Sequence, residues 1–111
     1  MVMRYSKKTA ASRRKFSQAV LERDEQCRVI INGKRCTKRA TDAHHTTGRI
    51  SVIDDVPEAG LGTCREHHSL ITDGILKVCA SWLTQNQIDW IEKRKWPEWK
   101  GIIWDQEPKE L

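Results

Sequence analysis

The sequence has little that is typical of a membrane protein or a secreted one. It has no run of about eighteen apolar residues, which excludes a membrane-spanning helix. It also has no apolar segment followed by the small-residue cleavage site of a secretory signal. We therefore expect a protein of a reducing cytoplasm, where four cysteines are better suited to a metal site than to disulfides.

Aromatic residues other than tryptophan are scarce, with one Phe and one Tyr beside five Trp in 111 residues. A chain of this length fits one domain with a modest hydrophobic core, so a bound metal would help it to fold. The tryptophans stand in the C-terminal third, at Trp82, Trp90, Trp96, Trp99 and Trp104. Three roles are open for them: packing of a last helix and tail, a partner-binding surface, or base stacking.

Positive charge is concentrated towards the N-terminus. Residues 1–39 carry twelve Lys or Arg against three Asp or Glu, a net charge of +9, whereas residues 40–111 carry −4. This asymmetry favours a surface that binds DNA phosphates, and a basic, solvated tail is the alternative. The cations that we expect to contact DNA are Arg13, Arg14, Lys15, Arg23, Lys38, Arg39 and Arg49.

The first segments of the chain predict an arm and a helix. Residues 1–11 show no periodic apolar face, which indicates a flexible basic arm. Apolar residues such as Phe16 and Val20 then recur at helical spacing, so we expect a basic amphipathic helix over residues 13–23. Ser12 is placed to cap that helix.

Hairpin signals follow the helix. The dipeptide Asn32-Gly33, preceded by three β-branched residues, is typical of a tight hairpin that would bring Cys27 and Cys36 together. Residues 40–63 contain short apolar runs separated by Gly and Pro, which predict two short strands around a loop.

The remaining segments predict two more helices. A helix of about two to three turns is expected over residues 64–73, with a glycine after its C-terminal end. Residues 75–81 resemble a short strand. Thr84 and Gln87 form the pattern of a capping box, which predicts a helix from residue 85 to about residue 95.

Two spaced pairs of metal-binding side chains stand out, Cys27-x8-Cys36 and Cys64-x2-His67. Three sulfurs and one imidazole make a closed tetrahedral set for Zn²⁺ with no position left for water, so we expect a structural ion. That ion would hold the hairpin against the start of the next helix and contribute folding free energy. The alternative is ordinary buried thiols with an exposed histidine. Cys79 has no partner at ligand spacing and is expected in the core.

Three further histidines are His44, His45 and His68. Adjacent side chains of a strand point to opposite faces, so one of the first two can bind a metal while the other faces a substrate. His68 lies about 100° further round its helix than His67 and therefore faces away from the zinc. A second metal between His44 and His68 is reasonable, and ordinary surface or core histidines are the alternative.

In order and approximate spacing these residues resemble the HNH endonucleases, whose ββα-metal motif is carried by a zinc-stapled scaffold. The resemblance covers roughly residues 13–73 and is carried by ordered runs rather than by one motif. The final run is similar to the C-x2-C-H of the family, with His67 in place of a second cysteine. The runs are Val20-Leu21-Glu22-Arg23-Asp24-Glu25-Gln26-Cys27, then Gly33-Lys34-Arg35-Cys36-Thr37-Lys38-Arg39-Ala40-Thr41-Asp42-Ala43-His44-His45, then Cys64-Arg65-Glu66-His67-His68.

The resemblance implies an α+β fold, a small zinc-stapled ββα-metal domain of treble-clef-like form. Residues 1–11 would be the basic arm, and residues 12–81 the nuclease domain with an N-terminal basic helix. Residues 82–111 would be a Trp-rich helix and tail that pack on the same domain. Free-standing relatives of this size suggest a bacterial or phage-infected host and, by analogy, phage packaging (terminase) proteins as partners.

The resemblance also implies a reaction. His44 and His68 would bind a catalytic Mg²⁺, Mn²⁺ or other divalent ion, and His45 would be the general base that takes a proton from water. The expected reaction is phosphodiester hydrolysis of DNA, weakly sequence-specific or nicking.

The sequence departs from the family pattern at two positions. The middle Asn of HNH would fall near Ala59, and no Asn lies between Gly33 and Asn86. That residue commonly ties down the loop that orients the base, so Asp54, Asp55 or Glu58 would have to replace it. A further metal ligand found in some members would fall at Thr72, next to Asp73.

These departures leave a rival hypothesis, a zinc-clip DNA-binding or adaptor module with weak or no nuclease activity. Such a module needs the four zinc ligands but has no use for three further histidines around a second metal. A protein-interaction domain that uses its tryptophans is a third reading, which would not explain the basic N-terminal region.

Overall fold

The computed structural model of the chain describes residues 7–46, 55–94 and 102, and all structural statements below concern this part. Helices and short antiparallel strands are mixed along it, which agrees with the predicted α+β class. The elements in order are α1 (Lys7–Asp24), β1 (Ile30–Ile31), β2 (Lys34–Arg35), β3 (Asp42–His45), a 3-10 helix (Pro57–Ala59), β4 (Gly60–Thr63), α2 (Arg65–Thr72), a second 3-10 helix (Ala80–Trp82) and α3 (Gln85–Arg94).

Helix α1 is longer than the sequence predicted. It begins at Lys7, so residues 7–11, expected to belong to a flexible arm, are helical. Ala10 and Ala11 are strong helix formers and allow this extension. Ser12 is therefore not a cap: it lies inside the helix, and its hydroxyl donates a hydrogen bond to Asp55. Residues 1–6 of the predicted arm lie outside the described residues.

The predicted hairpin and the predicted strand pair are both present. β1 and β2 pair antiparallel around Asn32 and Gly33, whose φ angles of 54° and 75° are those of a type I′ turn. β3 and β4 also pair antiparallel, with His44 opposite Leu61 and His45 opposite Gly60. α2 follows β4 after one residue, so the paired strands β3 and β4 and the helix α2 form a ββα unit.

The C-terminal third is partly as predicted. Residues 75–81 do not form the expected strand: within them a single residue, Cys79, is in a β-bridge, and the chain then enters the 3-10 helix Ala80–Trp82, where Ala80 and Trp82 are buried. The capping box is confirmed: Thr84 N–H donates to Oε1 of Gln87 at 3.0 Å, and Gln87 N–H donates to Thr84 Oγ1 at 3.2 Å. α3 begins at Gln85 as expected.

The core surrounds Trp82, whose side chain is fully buried and whose Nε1 donates to the carbonyl of Ile30 at 3.2 Å. Leu61, Ile91 and the predicted core residue Cys79 belong to the same cluster. A smaller cluster lies under α1 and contains Phe16, Val20 and Ala59, and Trp90 packs against both. Two of the five tryptophans therefore pack the domain, while Trp96, Trp99 and Trp104 lie outside the described residues.

Asp24 fastens the end of α1 to the ββα unit. Its buried carboxylate accepts from Arg23 Nε at 2.7 Å and from Arg23 Nη2 at 2.8 Å, and it also accepts from the backbone N–H of Gly62 at 2.7 Å. A buried carboxylate is stable only with such charged and backbone donors. The helix end and β4 therefore share one polar anchor.

Within the described ranges, we find no helix that combines the length and the apolar character needed to cross a membrane.

Candidate functional site

Four side chains converge at one end of the domain, as the ligand spacing predicted. One ligand atom from each of Cys27, Cys36, Cys64 and His67 lies within 4.8 Å of the other three. Nδ1 of His67 is 3.5 Å from Sγ of Cys27 and 3.4 Å from Sγ of Cys64. Tetrahedral zinc with ordinary Zn–S and Zn–N bonds separates sulfur from nitrogen by about 3.5 Å. These four residues can therefore hold a metal ion, and their donor set suits zinc.

Local structure explains why the ligands meet. The hairpin returns the chain beside its start, where Cys27 N–H donates to Lys38 O at 2.9 Å and Cys36 N–H donates to Val29 O at 2.8 Å. Cys64 is the N-terminal flanking residue of α2, and the first turn of that helix carries His67. The cluster thus joins the hairpin to the helix of the ββα unit.

The electrostatics of the cluster are those of a buried site. Burial, together with the neighbouring Cys36 and Cys64, raises the pKa of the Cys27 thiol to about 12. Burial also lowers the pKa of His67, which favours the neutral imidazole that ligates metals. Lys38 pairs with Glu66 beside the cluster on the exposed side.

His44 and His68 form a second pair, on the side of β3 that faces α2. Their ring centroids are 5.4 Å apart in an edge-to-face arrangement. Burial, followed by the neighbouring His68 and His45, lowers the pKa of His44 to about 4, so its imidazole is neutral at physiological pH. Nδ1 of His68 is buried and has no hydrogen-bond partner among the described residues. An unsatisfied buried ring nitrogen beside a neutral imidazole suits a cation.

In the part of the chain that the structure describes, no carboxylate completes this pair to a group of three ligands. Among the described residues, one group of three or more potential metal ligands lies close together, the Cys27 cluster (Cys27, Cys36, Cys64 and His67), and it contains neither His44 nor His68. Asp42 shares the face of β3 with His44. Its Oδ2 is buried and makes no hydrogen bond among the described residues, although it lies 3.2 Å from Nε of Arg65. Thr72, at the position of a further family ligand, is exposed at the end of α2.

His45 projects to the opposite side of β3, as the strand alternation predicted. Its Nε2 lies 3.1 Å from Oδ1 of Asp55, whose side chain is fully buried. The imidazole is stacked on Phe16 with a centroid distance of 4.0 Å and an angle of 8° between the rings. Asp55, an acidic candidate to replace the missing Asn, thus contacts His45, while Asp54 lies outside the described residues.

Gly60 makes the close contact between α1 and the strand pair possible. A Cβ at this position would lie 2.6 Å from Cζ of Phe16, too close for any real side chain. Its carbonyl accepts from Arg23 Nη2 at 2.7 Å and from Gln87 Nε2 at 2.6 Å. Both donors hold β4 opposite His45, because Gly60 is the strand partner of that histidine.

The predicted DNA-contacting cations fall into different environments. Arg14, Lys15 and Arg39 are exposed, and Arg13 is half-buried. Arg23 is committed to the fold, since its guanidinium binds Asp24 and also donates to the carbonyls of Pro57 and Gly60. Lys38 is paired with Glu66, and Arg49 lies outside the described residues.

Sequence reasoning missed the residues that support His45 from a distance. Ser12, Phe16 and Gln87 all contribute to its surroundings, and none was a candidate site residue. Only Phe16 carried a usable signal, as an apolar residue on the inner face of the predicted helix. Ser12 and Asp55 are separated by 43 residues, so no local pattern links them.

Comparisons of the chain with known protein families, with curated proteins and with solved structures find no match. The HNH resemblance therefore stays a prediction, carried by the order of the motifs.

Proposed function

We propose that this chain is a metal-dependent DNA endonuclease of the HNH type. The observation that supports the proposal is that the side chains of two adjacent histidines at the end of β3 point to opposite sides of the strand. His44 meets His68 of α2 on one side, while His45 meets a buried carboxylate on the other. A ligand pair and a supported base on one ββα unit are the parts that metal-assisted hydrolysis requires.

In this proposal His44 and His68 would hold a divalent cation such as Mg²⁺ or Mn²⁺, which when bound stabilises negative charge on the phosphate and the leaving oxygen. His45 accepts a proton from the attacking water. Asp55 accepts the Nε2–H of His45 and so leaves the lone pair on Nδ1, the nitrogen that takes the proton. The water oxygen bonds to phosphorus, the bond from phosphorus to the leaving 3′ oxygen breaks, and that oxygen acquires a proton from solvent.

The Cys27 cluster would hold a structural Zn²⁺. Its four ligands fill the tetrahedral coordination of zinc and leave no position for a reacting water. The ion would fix the start of α2, the helix that also carries His68 one residue after the zinc ligand His67. The zinc thereby sets the direction of the proposed catalytic ligand without taking part in the reaction.

DNA is the proposed substrate because of the basic N-terminal region. The exposed side chains of Arg14 and Lys15 on α1 and of Arg39 after the hairpin are suited to phosphate oxygens. Arg23 is less available for this role, because its guanidinium donates to Asp24 and to the carbonyls of Pro57 and Gly60.

A DNA-binding or adaptor module held by the same zinc is the second candidate. It is favoured by the missing third ligand, since His44 and His68 belong to no larger ligand group among the described residues. Plasmid cleavage separates the two functions. If the chain is a nuclease, we expect nicked or linear plasmid in the presence of Mg²⁺, Mn²⁺ or Ni²⁺. A chelator added shortly before the plasmid should prevent these products from forming.

Two variants sharpen that experiment. His68→Ala removes a proposed ligand and should abolish cleavage while DNA binding persists, whereas Lys77→Ala removes an exposed charge elsewhere and should cleave normally. Retained binding without cleavage by the parent chain under every metal would favour the binding module.

A further inference from the structure

We propose that Ser12 and Phe16 of α1 position His45, so that the basic helix is part of the nuclease site and not only a DNA-contacting element. This inference rests on the proposed function. It concerns how the base is held, which neither the motif nor the metal ligands explain.

A continuous chain of polar contacts runs from α1 to the imidazole. Oγ of Ser12 donates to Oδ2 of Asp55 at 2.9 Å, and Oδ1 of the same carboxylate lies 3.1 Å from Nε2 of His45. The Asp55 side chain is fully buried, so it depends on such donors for its charge and orientation. With one oxygen held by the helix, the other is aimed at the ring.

Phe16 fixes the plane of the same ring. Ser12 and Phe16 are four residues apart and so lie on one face of α1. The phenyl ring is parallel to the imidazole within 8° at 4.0 Å, which blocks rotation about the bond that carries the ring. It reaches this place because position 60, opposite His45, is a glycine.

The outer face of the same helix carries Arg14 and Lys15, both exposed. One rigid helix therefore presents cations to solvent and holds the carboxylate and the ring of the proposed base on its inner face. A DNA strand bound to α1 would therefore be held in a fixed position relative to His45, because the same helix contacts both.

The first test separates substrate binding from turnover. Because Ser12 acts through Asp55, Ser12→Ala should lower kcat for plasmid cleavage by roughly ten-fold and leave KM unchanged. Ser12→Thr keeps the hydroxyl and should restore most of the rate. Ser17→Ala, a serine on the same helix, is the matched control and should cleave like the parent. An unchanged kcat in a folded Ser12→Ala protein would overturn the proposal.

The second test does not require cleavage. Ring ¹⁵N chemical shifts of His45, measured at a pH where the imidazole is neutral, report which nitrogen carries the hydrogen. We expect protonated Nε2 in the parent and in Ser12→Thr, and a mixture of tautomers in Ser12→Ala. Identical spectra in parent and Ser12→Ala would contradict the positioning role, whether or not the parent cleaves DNA. If the tautomers of parent and Ser12→Ala differ but the parent never cleaves DNA, only the nuclease proposal is refuted.

Discussion

At the scale of single residues, buried polar groups decide how α1 meets the rest of the domain. Asp24 and Asp55 both have fully buried side chains, and each is satisfied by donors from other segments. A buried carboxylate that loses its partners is costly, whereas an exposed one is not. The two aspartates therefore contribute in different ways: one anchors the helix and the other supports the proposed base.

Replacing Asp24 with Asn removes the charge that binds Arg23 and the backbone of Gly62. We expect the free energy of unfolding to fall by about 2–4 kcal/mol, measured by urea denaturation. Asp89→Asn on the exposed face of α3 is the matched control and should change stability by less than about 0.5 kcal/mol. Equal losses in the two variants would show that the anchor is unimportant.

At the scale of elements, local signals were sufficient wherever the partner was close in sequence. Asn32-Gly33 predicted the hairpin, and Thr84 with Gln87 predicted the start of α3, because each signal and its effect lie within a few residues. The start of α1 was wrong because the helix formers Ala10 and Ala11 extend the helix beyond Ser12, whose hydroxyl binds a distant segment instead of capping. The expected strand at residues 75–81 was wrong because burial of Trp82 governs that segment.

In the candidate site, too, features set by nearby residues were predicted and those that depend on distant segments were not. The convergence of the four candidate metal ligands, and the opposite directions of His44 and His45, followed from spacing and strand alternation. The support of His45 by Ser12 and Phe16 could not be predicted, since it depends on how α1 packs across the strand pair.

The capping box of α3 is open to a direct test. Thr84→Ala removes the hydroxyl that accepts from the N–H of Gln87, so the free energy of unfolding should fall by about 1 kcal/mol. Ser81→Ala, at an exposed neighbouring position, should leave stability within about 0.5 kcal/mol of the parent. Thermal and urea unfolding of both variants provide the comparison.

The exposed face of α1 can be tested through salt dependence. If Lys15 contacts a phosphate, Lys15→Ala should reduce the slope of log K for DNA binding against log salt by about 1. Lys77→Ala removes the same charge from another exposed position and should leave the slope unchanged. A slope that responds equally to both substitutions would indicate only general attraction by net charge.

At the scale of the whole molecule, the Cys27 cluster connects segments that are far apart in sequence. It links the hairpin to α2, while the hydrophobic core around Trp82 packs beneath both. In a chain of 111 residues a metal ion bound there would contribute a large part of the stability. Metal removal should therefore loosen the ββα unit as well as the hairpin.

Metal content distinguishes the ligand cysteines from the core cysteine. Native mass spectrometry should find one tightly bound zinc in the parent and in Cys79→Ala, and none in Cys64→Ala. Both residues are buried, so the comparison controls for the loss of a buried thiol. Circular dichroism of Cys64→Ala should show a lower and less cooperative unfolding transition. Full zinc retention by Cys64→Ala would exclude the proposed ligand set.

The central claim, that His45 is the base of a DNA endonuclease, is tested most directly by single-turnover cleavage of a supercoiled plasmid. The zinc-loaded parent and His45→Ala are compared with Mn²⁺ in excess, after binding and folding are shown to be equal. We expect metal-dependent cleavage by the parent and a rate about 10²- to 10⁴-fold lower in the variant. Equal rates in the two proteins, or no cleavage by the parent, would contradict it.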